Sequence, residues 1–321
     1  MGRVVSERDD MKAGHNEARA HHFVPQCWLT GFTDTGEIDG MLWVTDLKRK
    51  KQWRCKPSEA GHRRDFYRID DPEHSDPLAI EKIFSRIESD VAPVFRILTQ
   101  EKRGPKDGIE LGTLLEYMAI QWIRVPTFRA IIGRTVYSHF SDDVLSSRES
   151  WERALRKAGV PSDHPDADYS KAVAALASGE ISFSARPEFY IKHGAELLEE
   201  IDACLKKMQW NWLVSESGQF IGFDSPVALD GAAGQTVGFK NAGVVIYPVN
   251  RHLLLFGTQD AVTVPPITTK MIAHHNTFAM ICADEQVYSH RPDFHWLDKT
   301  IQCQNDWRLF SRDDFFQSKI I

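Results

Sequence analysis

Five polar residues stand at places in the sequence where their side chains could do chemistry: His22, Gln121, Arg124, Asp224 and Asn276. Histidine exchanges a proton near neutral pH, so His22 is a candidate general acid or base. A carboxylate such as Asp224 would orient that histidine or bind a divalent metal. The other three would bind the substrate, with the Arg124 guanidinium holding an anionic group.

Each of these residues also has a structural role that must be weighed against chemistry. A histidine beside a proline-containing turn can simply hydrogen bond to backbone, and this applies to His22. Asp224 stands just before Ser225-Pro226, and aspartate forms turns by binding its own following backbone. Asn276 falls on a predicted helix, where it can bind a backbone group. Asp224 is also the most attractive carboxylate partner for Arg124.

The run Leu111 to Arg129 is the most apolar helical stretch in the chain, and it contains Gln121 and Arg124. Its apolar residues recur at intervals of three and four, which is typical of a helix that is buried around most of its girth. A buried guanidinium requires a carboxylate or an anionic ligand beside it. Pro126 lacks an N–H and clashes with the preceding turn, so we expect the helix to kink or end near Val125.

Strands and helices are segregated along the rest of the chain. Strand patterns occur at 41–46, 52–55, 210–214, 218–223, 243–247 and 253–257, and short strands or extended segments at 65–69, 287–289 and 308–310. Helical patterns occur at 25–31, 78–99, 111–129, 130–147, 150–157, 169–177, 188–210 and 267–284. We expect 41–55 and 243–257 to form hairpins, and 210–214 to pair with 218–223. This order predicts an α+β fold, with a helical middle segment packed against a mainly antiparallel sheet from the N-terminal and C-terminal parts. The predicted organisation is a flexible arm over 1–18 and a single α+β domain over 19–321.

Composition and charge narrow the class of protein. The 321 residues carry a formal net charge of −6 and are 42% hydrophobic, which gives a sizeable core and no global attraction to nucleic acid or anionic membranes. Five cysteines are far apart and form no CxxC pair, which favours reduced thiols in the cytoplasm over a disulfide framework. The first twenty residues lack the apolar segment of a secretory signal, and no apolar run reaches ~18 residues, so no membrane span is expected.

Sequence motifs exclude several common sites. The chain contains no GxxxxGK[ST], GxGxxG or GxSxG motif, and its adjacent histidines His274 and His275 lack the i, i+4 spacing of a helical zinc site. The basic runs Lys48 to Lys51 and Arg63-Arg64 favour contact with nucleic acid, although the net charge opposes it. Neither a nucleotide-binding loop nor a metal-binding signature is therefore predicted by motif.

The order of several short motifs resembles a family of domains of unknown function, found mostly in bacteria, that opens with H-x-V-P-x-x-[YW]-L. The matching segments are His22 to Pro25 with Trp28-Leu29 and Phe32, Asp65 to Tyr67, Ile87-Glu88, Gln121 to Pro126 with Arg129, Asp224 to Val227, Tyr247-Pro248, and Asn276. The resemblance spans about residues 21 to 290 and implies one domain rather than two. It also groups the five candidate residues. Phe223 stands where that family usually has serine before the aspartate, so a hydroxyl role is missing there.

Two functions are consistent with these residues. The first is a metal-dependent phosphodiester hydrolase or nuclease in a defence setting, with His22 as acid or base and a divalent metal as the candidate cofactor. Its partner would be nucleic acid or an anionic small molecule, bound through Arg124. The alternative is a non-catalytic ligand sensor or partner-binding protein whose polar residues form a structural network. The two differ in what Arg124→Ala should do: a structural network predicts a large loss of stability, and an enzyme predicts a near-normal melt.

Overall fold

Residues 20–69, 76–178, 186–231 and 237–316 are described in a computed structural model of the chain, so the predicted arm over 1–18 lies outside the described residues. Its helices are α1 (Gln26–Leu29), α2 (Ala79–Glu101), α3 (Gly108–Arg124), α4 (Pro126–His139), α5 (Arg148–Lys157), α6 (Tyr169–Ala177), α7 (Pro187–Lys207), α8 (Thr269–Cys282) and α9 (Asp313–Phe316). Its strands are β1 (Ala20–His22), β2 (Leu42–Asp46), β3 (Lys51–Cys55), β4 (His62–Arg64), β5 (Gln209–Val214), β6 (Gly222–Phe223), β7 (Ala228–Asp230), β8 (Val244–Asn250), β9 (Leu253–Thr258), β10 (Gln286–Ser289), β11 (Trp296–Leu297) and β12 (Cys303–Gln304).

The first four-stranded sheet joins the two ends of the chain. Its order is β3-β2-β10-β6 and its pairs are antiparallel, so the predicted hairpin over 41–55 is confirmed. The late strand β10 lies between β2 and β6. Segment 218–223 was expected to pair with 210–214, and this was wrong, because Phe223 pairs with Val287 of β10 instead. A separate two-stranded ladder joins β1 to β4.

The second four-stranded sheet has the order β5-β9-β8-β7, and its two central strands, β8 and β9, are buried on both faces. Side chains alternate along a strand, and in β8 Val245 and Tyr247 enter the larger hydrophobic cluster while Ile246 enters the smaller one. The larger cluster is filled by α2, α3 and α7, and the smaller one by α8 and the C-terminal aromatic residues. The predicted hairpin over 243–257 is confirmed. The α+β class is likewise confirmed, with the helical middle segment on one face of this sheet.

The central helix ends where proline requires it. Helix α3 stops at Arg124, Val125 is extended, and Pro126 opens α4 as its first helical residue. Helix α7 packs closely on this region, since a Cβ at Gly194 would lie 2.9 Å from the Cβ of Ile123. None of the described helices is long and apolar enough to cross a membrane.

Helix α1 is attached to the turn of the β8–β9 hairpin. The indole Nε1 of Trp28 donates to the carbonyl of Pro248 at 2.9 Å. A Cβ at Gly31 would lie only 2.6 Å from the Cβ of Asn250, so glycine is required at this close approach. These contacts fix α1 over α2 and the sheet. Two sequence expectations were wrong nearby and at the C-terminus: Asp65 to Tyr67 form a turn after β4, and Trp307–Leu309 form a 3₁₀ helix rather than a strand.

Candidate ligand-binding site

The structure separates the five sequence-predicted residues into distinct networks. His22 and Arg124 meet directly, because Nη2 of Arg124 donates to the His22 carbonyl at 2.6 Å. Gln121 lies one helical turn before Arg124 but bonds to the sheet. Asp224 and Asn276 each hold backbone groups elsewhere. Of the five residues, His22 and Arg124 therefore come together. The residues that surround this pair form the candidate site.

Arg124 is 1% exposed and uses its charge inside the protein. Its Nη1 donates to Oε1 of Glu88 at 2.7 Å, and the guanidinium carbon lies 4.4 Å from the centroid of the Phe84 ring. The hydroxyl of Tyr67 donates at 2.6 Å to the Arg124 carbonyl, which satisfies one of the acceptors left open at the end of α3. Arg124 therefore links α2, α3 and the His22 segment at one point.

The expected pairing of Arg124 with Asp224 is wrong, since Glu88 takes that place. Asp224 is 2% exposed and accepts three backbone N–H groups, from Asp284 at 2.7 Å, Glu285 at 2.7 Å and Gln286 at 2.8 Å. Burial raises the pKa of Asp224 to about 7, and the backbone hydrogen bonds act in the opposite direction. This carboxylate holds the turn that leads into β10.

Gln121 and Asn276 are both buried and both attach one element to another. Oε1 of Gln121 accepts the hydroxyl of Tyr247 at 2.5 Å, which joins α3 to β8. The side chain of Asn276 accepts the N–H of Ile221 at 3.2 Å and donates to the carbonyls of Gln219 and His295 at 3.0 and 2.9 Å. All three of these hydrogen bonds are made to backbone groups. The Asn276 side chain therefore holds the loop before β6 and the loop after β10 together.

The ring of His22 is neutral and has a single consistent tautomer. Nε2 lies 3.3 Å from the carbonyl of Ser58 and therefore carries the proton, while Nδ1 lies 3.4 Å from the Gln26 amide nitrogen and accepts from it. Burial, together with the nearby charges of His62 and Arg124, lowers the pKa of His22 to about 4, although the hydrogen bond to the Ser58 carbonyl acts in the opposite direction. At neutral pH this ring contributes no positive charge.

Glu88 connects the buried Arg124 cluster to the protein surface. Its side chain is 21% exposed, and its second carboxylate oxygen has no hydrogen bond within the described part of the chain. It lines a cleft of about 500 Å³ between α2 on one side and α1 with the following loop on the other, a size typical of small-molecule sites. The cleft is lined by Gln26, Cys27, Thr30, Gly36, Glu37, Ile38, Ser85, Glu88, Ser89, Ala92, Phe95, Arg96 and Thr99.

The wall contributed by α2 is a polar stripe. Ser85, Ser89, Arg96 and Thr99 follow one another at intervals of four, seven and three residues, and Glu88 comes three residues after Ser85, so these side chains lie along one side of the helix. Glu88 and Arg96 are eight residues apart, which places them about 12 Å apart along the helix axis. The cleft therefore offers a carboxylate near one end, hydroxyls along its length and a guanidinium near the other end.

Cys27 also lines the cleft, but it is unsuited to nucleophilic chemistry. Burial raises the pKa of its thiol to about 12, and its Sγ lies 3.9 Å from the hydroxyl of Tyr117. The thiolate is the reactive form of cysteine. Cys27 is therefore an uncharged thiol at neutral pH.

Glu81 and Glu88 belong to this cluster but were not among the candidate site residues; Glu88 entered the sequence analysis only as part of the Ile87-Glu88 motif, and Glu81 did not enter it. They are seven positions apart on α2 and both act on the charge of Arg124. Burial raises the pKa of Glu81 to about 6, with Arg124 opposing and Glu88 reinforcing the shift. The available signal was the interruption of the apolar face of α2 by these glutamates, opposite a helix that contains a buried arginine.

The basic runs that favoured nucleic acid are matched by nearby acids. Lys48 lies 3.7 Å from Glu285, and Arg49 lies 3.1 Å from Asp46. Arg63 lies 3.4 Å from Asp284. This face therefore offers little uncompensated positive charge to a phosphate backbone. Among the described residues, no group of three or more His, Cys, Asp or Glu side chains could hold a metal ion.

A family model described as "Protein of unknown function (DUF4238)" matches residues 20–293. The match covers most of the chain, and the chain belongs to this family. The expectation of a family of domains of unknown function is confirmed at that level. No curated protein and no solved structure matches the chain.

Proposed function

We propose that this DUF4238 family member binds a small molecule carrying an ammonium or guanidinium group in the cleft between α1 and α2. The observation that carries the proposal is Glu88. One of its carboxylate oxygens is held by a fully buried arginine, and the other has no hydrogen bond to any described residue and belongs to a side chain that lines the cleft. A carboxylate fixed in this way is pre-organised to accept hydrogen bonds from a cation. This proposal develops the alternative function considered in the sequence analysis, a ligand sensor or partner-binding protein, and adds the class of ligand.

The expected charge of the ligand depends on which residue of the Arg124–Glu88 ion pair lines the cleft. Arg124 is 1% exposed and is absent from the cleft lining, so it does not reach an anion there. Glu88 and Glu37 do line the cleft. The anionic ligand expected from the sequence is thus less well supported at this place than a cationic one. Arg96, farther along α2, would contact a carboxylate at the other end of a zwitterionic ligand.

Arg124 acts on the ligand through Glu88. It fixes the rotamer of the glutamate, because its Nη1 donates to Oε1 of Glu88 at 2.7 Å. His22 and Tyr67 in turn fix Arg124, through a backbone carbonyl and a hydroxyl. In this account Glu88 touches the ligand, and Arg124 is a positioning residue.

Calorimetric titration with arginine and agmatine tests the proposal. Both molecules carry a guanidinium, and they differ by one carboxylate. We expect saturable binding of at least one of them. Contact between Arg96 and the carboxylate of arginine should make arginine bind more tightly than agmatine, and Arg96→Ala should remove this difference in affinity. Glu88→Gln keeps the shape of the side chain but removes its charge, and we expect binding to weaken by about tenfold or more, since a charged hydrogen bond is worth about 1.5–3 kcal/mol.

Two further variants separate loss of the site from loss of the fold. Asp90→Asn removes an exposed carboxylate on the same helix that does not line the cleft, and it should bind like the wild type. Ser89→Trp fills the cleft without touching the buried ion pair, and it should abolish binding with a near-normal melt. Binding of neither probe, or unchanged binding by Ser89→Trp, would overturn the proposal.

A metal-dependent phosphodiester hydrolase or nuclease is the second candidate, and one observation favours it. His22 is a neutral imidazole in the Arg124 cluster, and Gln26 bridges it to the cleft. No described hydrogen bond or ion pair joins His22 to Asp224, which weakens the predicted catalytic pairing. Incubation of the protein with DNA and RNA in Mg²⁺, Mn²⁺ or EDTA tests it. Metal-dependent cleavage that disappears in His22→Ala would support this candidate, and the absence of cleavage in every condition would remove it.

A further inference from the structure

The cleft between α1 and α2 contains a second carboxylate, that of Glu37, at the end where Arg96 lies. Glu37 lines the cleft from the loop that follows α1, and its Oε1 accepts a hydrogen bond from Nε2 of Gln100 at 3.1 Å. Gln100 comes four residues after Arg96 on α2, so the two side chains are neighbours on the helix surface. A Cβ at Gly36 would lie 3.1 Å from Cγ2 of Thr99. The loop around Glu37 therefore rests on the turn of α2 that follows Arg96.

The loop that carries Glu37 has a fixed backbone. Thr33 is fully buried, and its Oγ1 donates to the carbonyl of Thr30 at 2.9 Å and accepts the N–H of Gly36 at 2.9 Å. Gly36 has a φ of 78°, which glycine adopts at little cost. The second carboxylate oxygen of Glu37 has no hydrogen bond to any described residue. Glu37 thus repeats the arrangement of Glu88, with one oxygen held by a neighbour and the other available to a ligand.

Three charged side chains line the cleft, and they stand in a definite order. Glu88 lies near one end, and Arg96 and Glu37 lie together near the other. The side chain of Arg96 is long and leans toward the N-terminus of α2, which shortens the separation of about 12 Å from Glu88 along the helix axis. Arg124 pairs with Glu88 from behind and does not line the cleft. The cleft therefore selects a ligand by the positions of its charges rather than by its net charge.

Apolar side chains lie between the two charged ends. Ala92 is four residues from both Glu88 and Arg96 on α2, and Phe95 and Ile38 line the same part of the cleft. Ile38 is 56% exposed, so a ligand that covers it removes apolar surface from water. A short chain of methylene groups suits this middle part, because it spans the distance and adds no polar group.

We infer that the cleft binds a free α-amino acid with a cationic side chain, such as arginine. The cation of its side chain contacts Glu88, its α-carboxylate contacts Arg96, and its α-ammonium contacts the available oxygen of Glu37. Two cations and one carboxylate in the ligand thus match two carboxylates and one guanidinium in the cleft, and charged hydrogen bonds of this kind are the strong ones. The inference rests on the proposed function, to which it adds that the α-amino group of the ligand must be free.

Titration calorimetry with arginine, agmatine and desaminoarginine tests the inference. Agmatine lacks the carboxylate of arginine, and desaminoarginine has hydrogen in place of the α-amino group. We expect arginine to bind more tightly than desaminoarginine by about fivefold or more, because about fivefold is the upper range for one exposed ion pair. In Glu37→Gln the affinity for arginine should fall toward that for desaminoarginine, which should itself stay unchanged. Asp39→Asn removes an exposed carboxylate of the same loop that does not line the cleft, and this matched control should bind arginine like the wild type.

The possible results separate this inference from the proposed function. Equal affinities of the wild type for arginine and desaminoarginine, or unchanged arginine binding by Glu37→Gln, would overturn the contact with the α-amino group and leave cation binding at Glu88 intact. Binding of agmatine without binding of arginine would have the same meaning. Binding of neither arginine nor agmatine would overturn the proposed function itself, and this inference with it.

Discussion

Replacing Arg124 with alanine should destabilise the protein strongly, because Arg124 joins three elements inside the core. The substitution removes the ion pair with Glu88, the hydrogen bond to the His22 carbonyl and the ring contact with Phe84. It also leaves the Glu88 carboxylate, only 21% exposed, without its counter-charge. Each of these effects acts in the same direction on the free energy of unfolding.

The magnitude is set by the buried pair. Removing one partner of such a pair costs about 3–5 kcal/mol, and the hydrogen bond to His22 is part of that figure rather than additional to it. Unfolding entropy is about 2.1 cal/mol/K per residue near the midpoint, or roughly 0.6 kcal/mol/K for about 300 residues. The melting temperature of Arg124→Ala should therefore fall by about 5–8 °C.

Urea unfolding and scanning calorimetry of Arg124→Ala, Glu88→Ala and the double variant measure this loss. The double variant should be less destabilised than the two single losses added together, because it leaves no charge without a partner. A loss below about 1 kcal/mol in Arg124→Ala would refute the reasoning, since that is the range of an exposed pair. Additive losses in the double variant would show that the two residues do not stabilise each other.

Three further substitutions test other parts of the account. Tyr247→Phe removes the hydroxyl that bonds to the fully buried Gln121, and the free energy of unfolding in urea should fall by about 1–3 kcal/mol; an unchanged value would contradict the α3–β8 link. Gly31→Ala places a Cβ about 2.6 Å from that of Asn250, and the same measurement should show a loss of about 1–3 kcal/mol. An unchanged free energy of unfolding would contradict the close packing of Gly31 on the hairpin. Burial raises the pKa of Glu81 to about 6, so the native state binds more protons than the unfolded state between the ordinary value of 4.5 and 6, and stability falls as pH rises through that window. Glu81→Gln should therefore gain stability relative to the wild type at about pH 7 compared with about pH 4; an equal difference at both values of pH would contradict the shift.

Local patterns in the sequence predicted elements well wherever one segment determined its own structure. The spacing of apolar residues and Pro126 predicted that the central helix ends near Val125, and α3 does end at Arg124. The hairpins over 41–55 and 243–257 depend on short turns and were also found. The pairing of β6 was missed, because its partner β10 lies more than sixty residues later and nothing local in Gly222–Phe223 encodes that choice.

The site was only partly predictable for the same reason. The sequence predicted that Arg124 is buried and paired, but the partner comes from a different helix. Asp224 was the preferred partner, and nothing local in the sequence pointed to Glu88 instead. His22 contributes its backbone carbonyl to Arg124, which no side-chain pattern could indicate. Asn276 was correctly placed on a helix, yet its role depends on two loops that only the fold brings together.

The central claim is that Glu88 presents a fixed carboxylate to a cation in the cleft. The most direct measurement is calorimetric titration of the wild type and Ser89→Trp with whichever of arginine and agmatine the wild type binds more tightly. The account predicts saturable binding by the wild type and none by Ser89→Trp, with closely similar melting temperatures for the two proteins. Equal binding by both proteins, or binding of neither probe by the wild type, would contradict it.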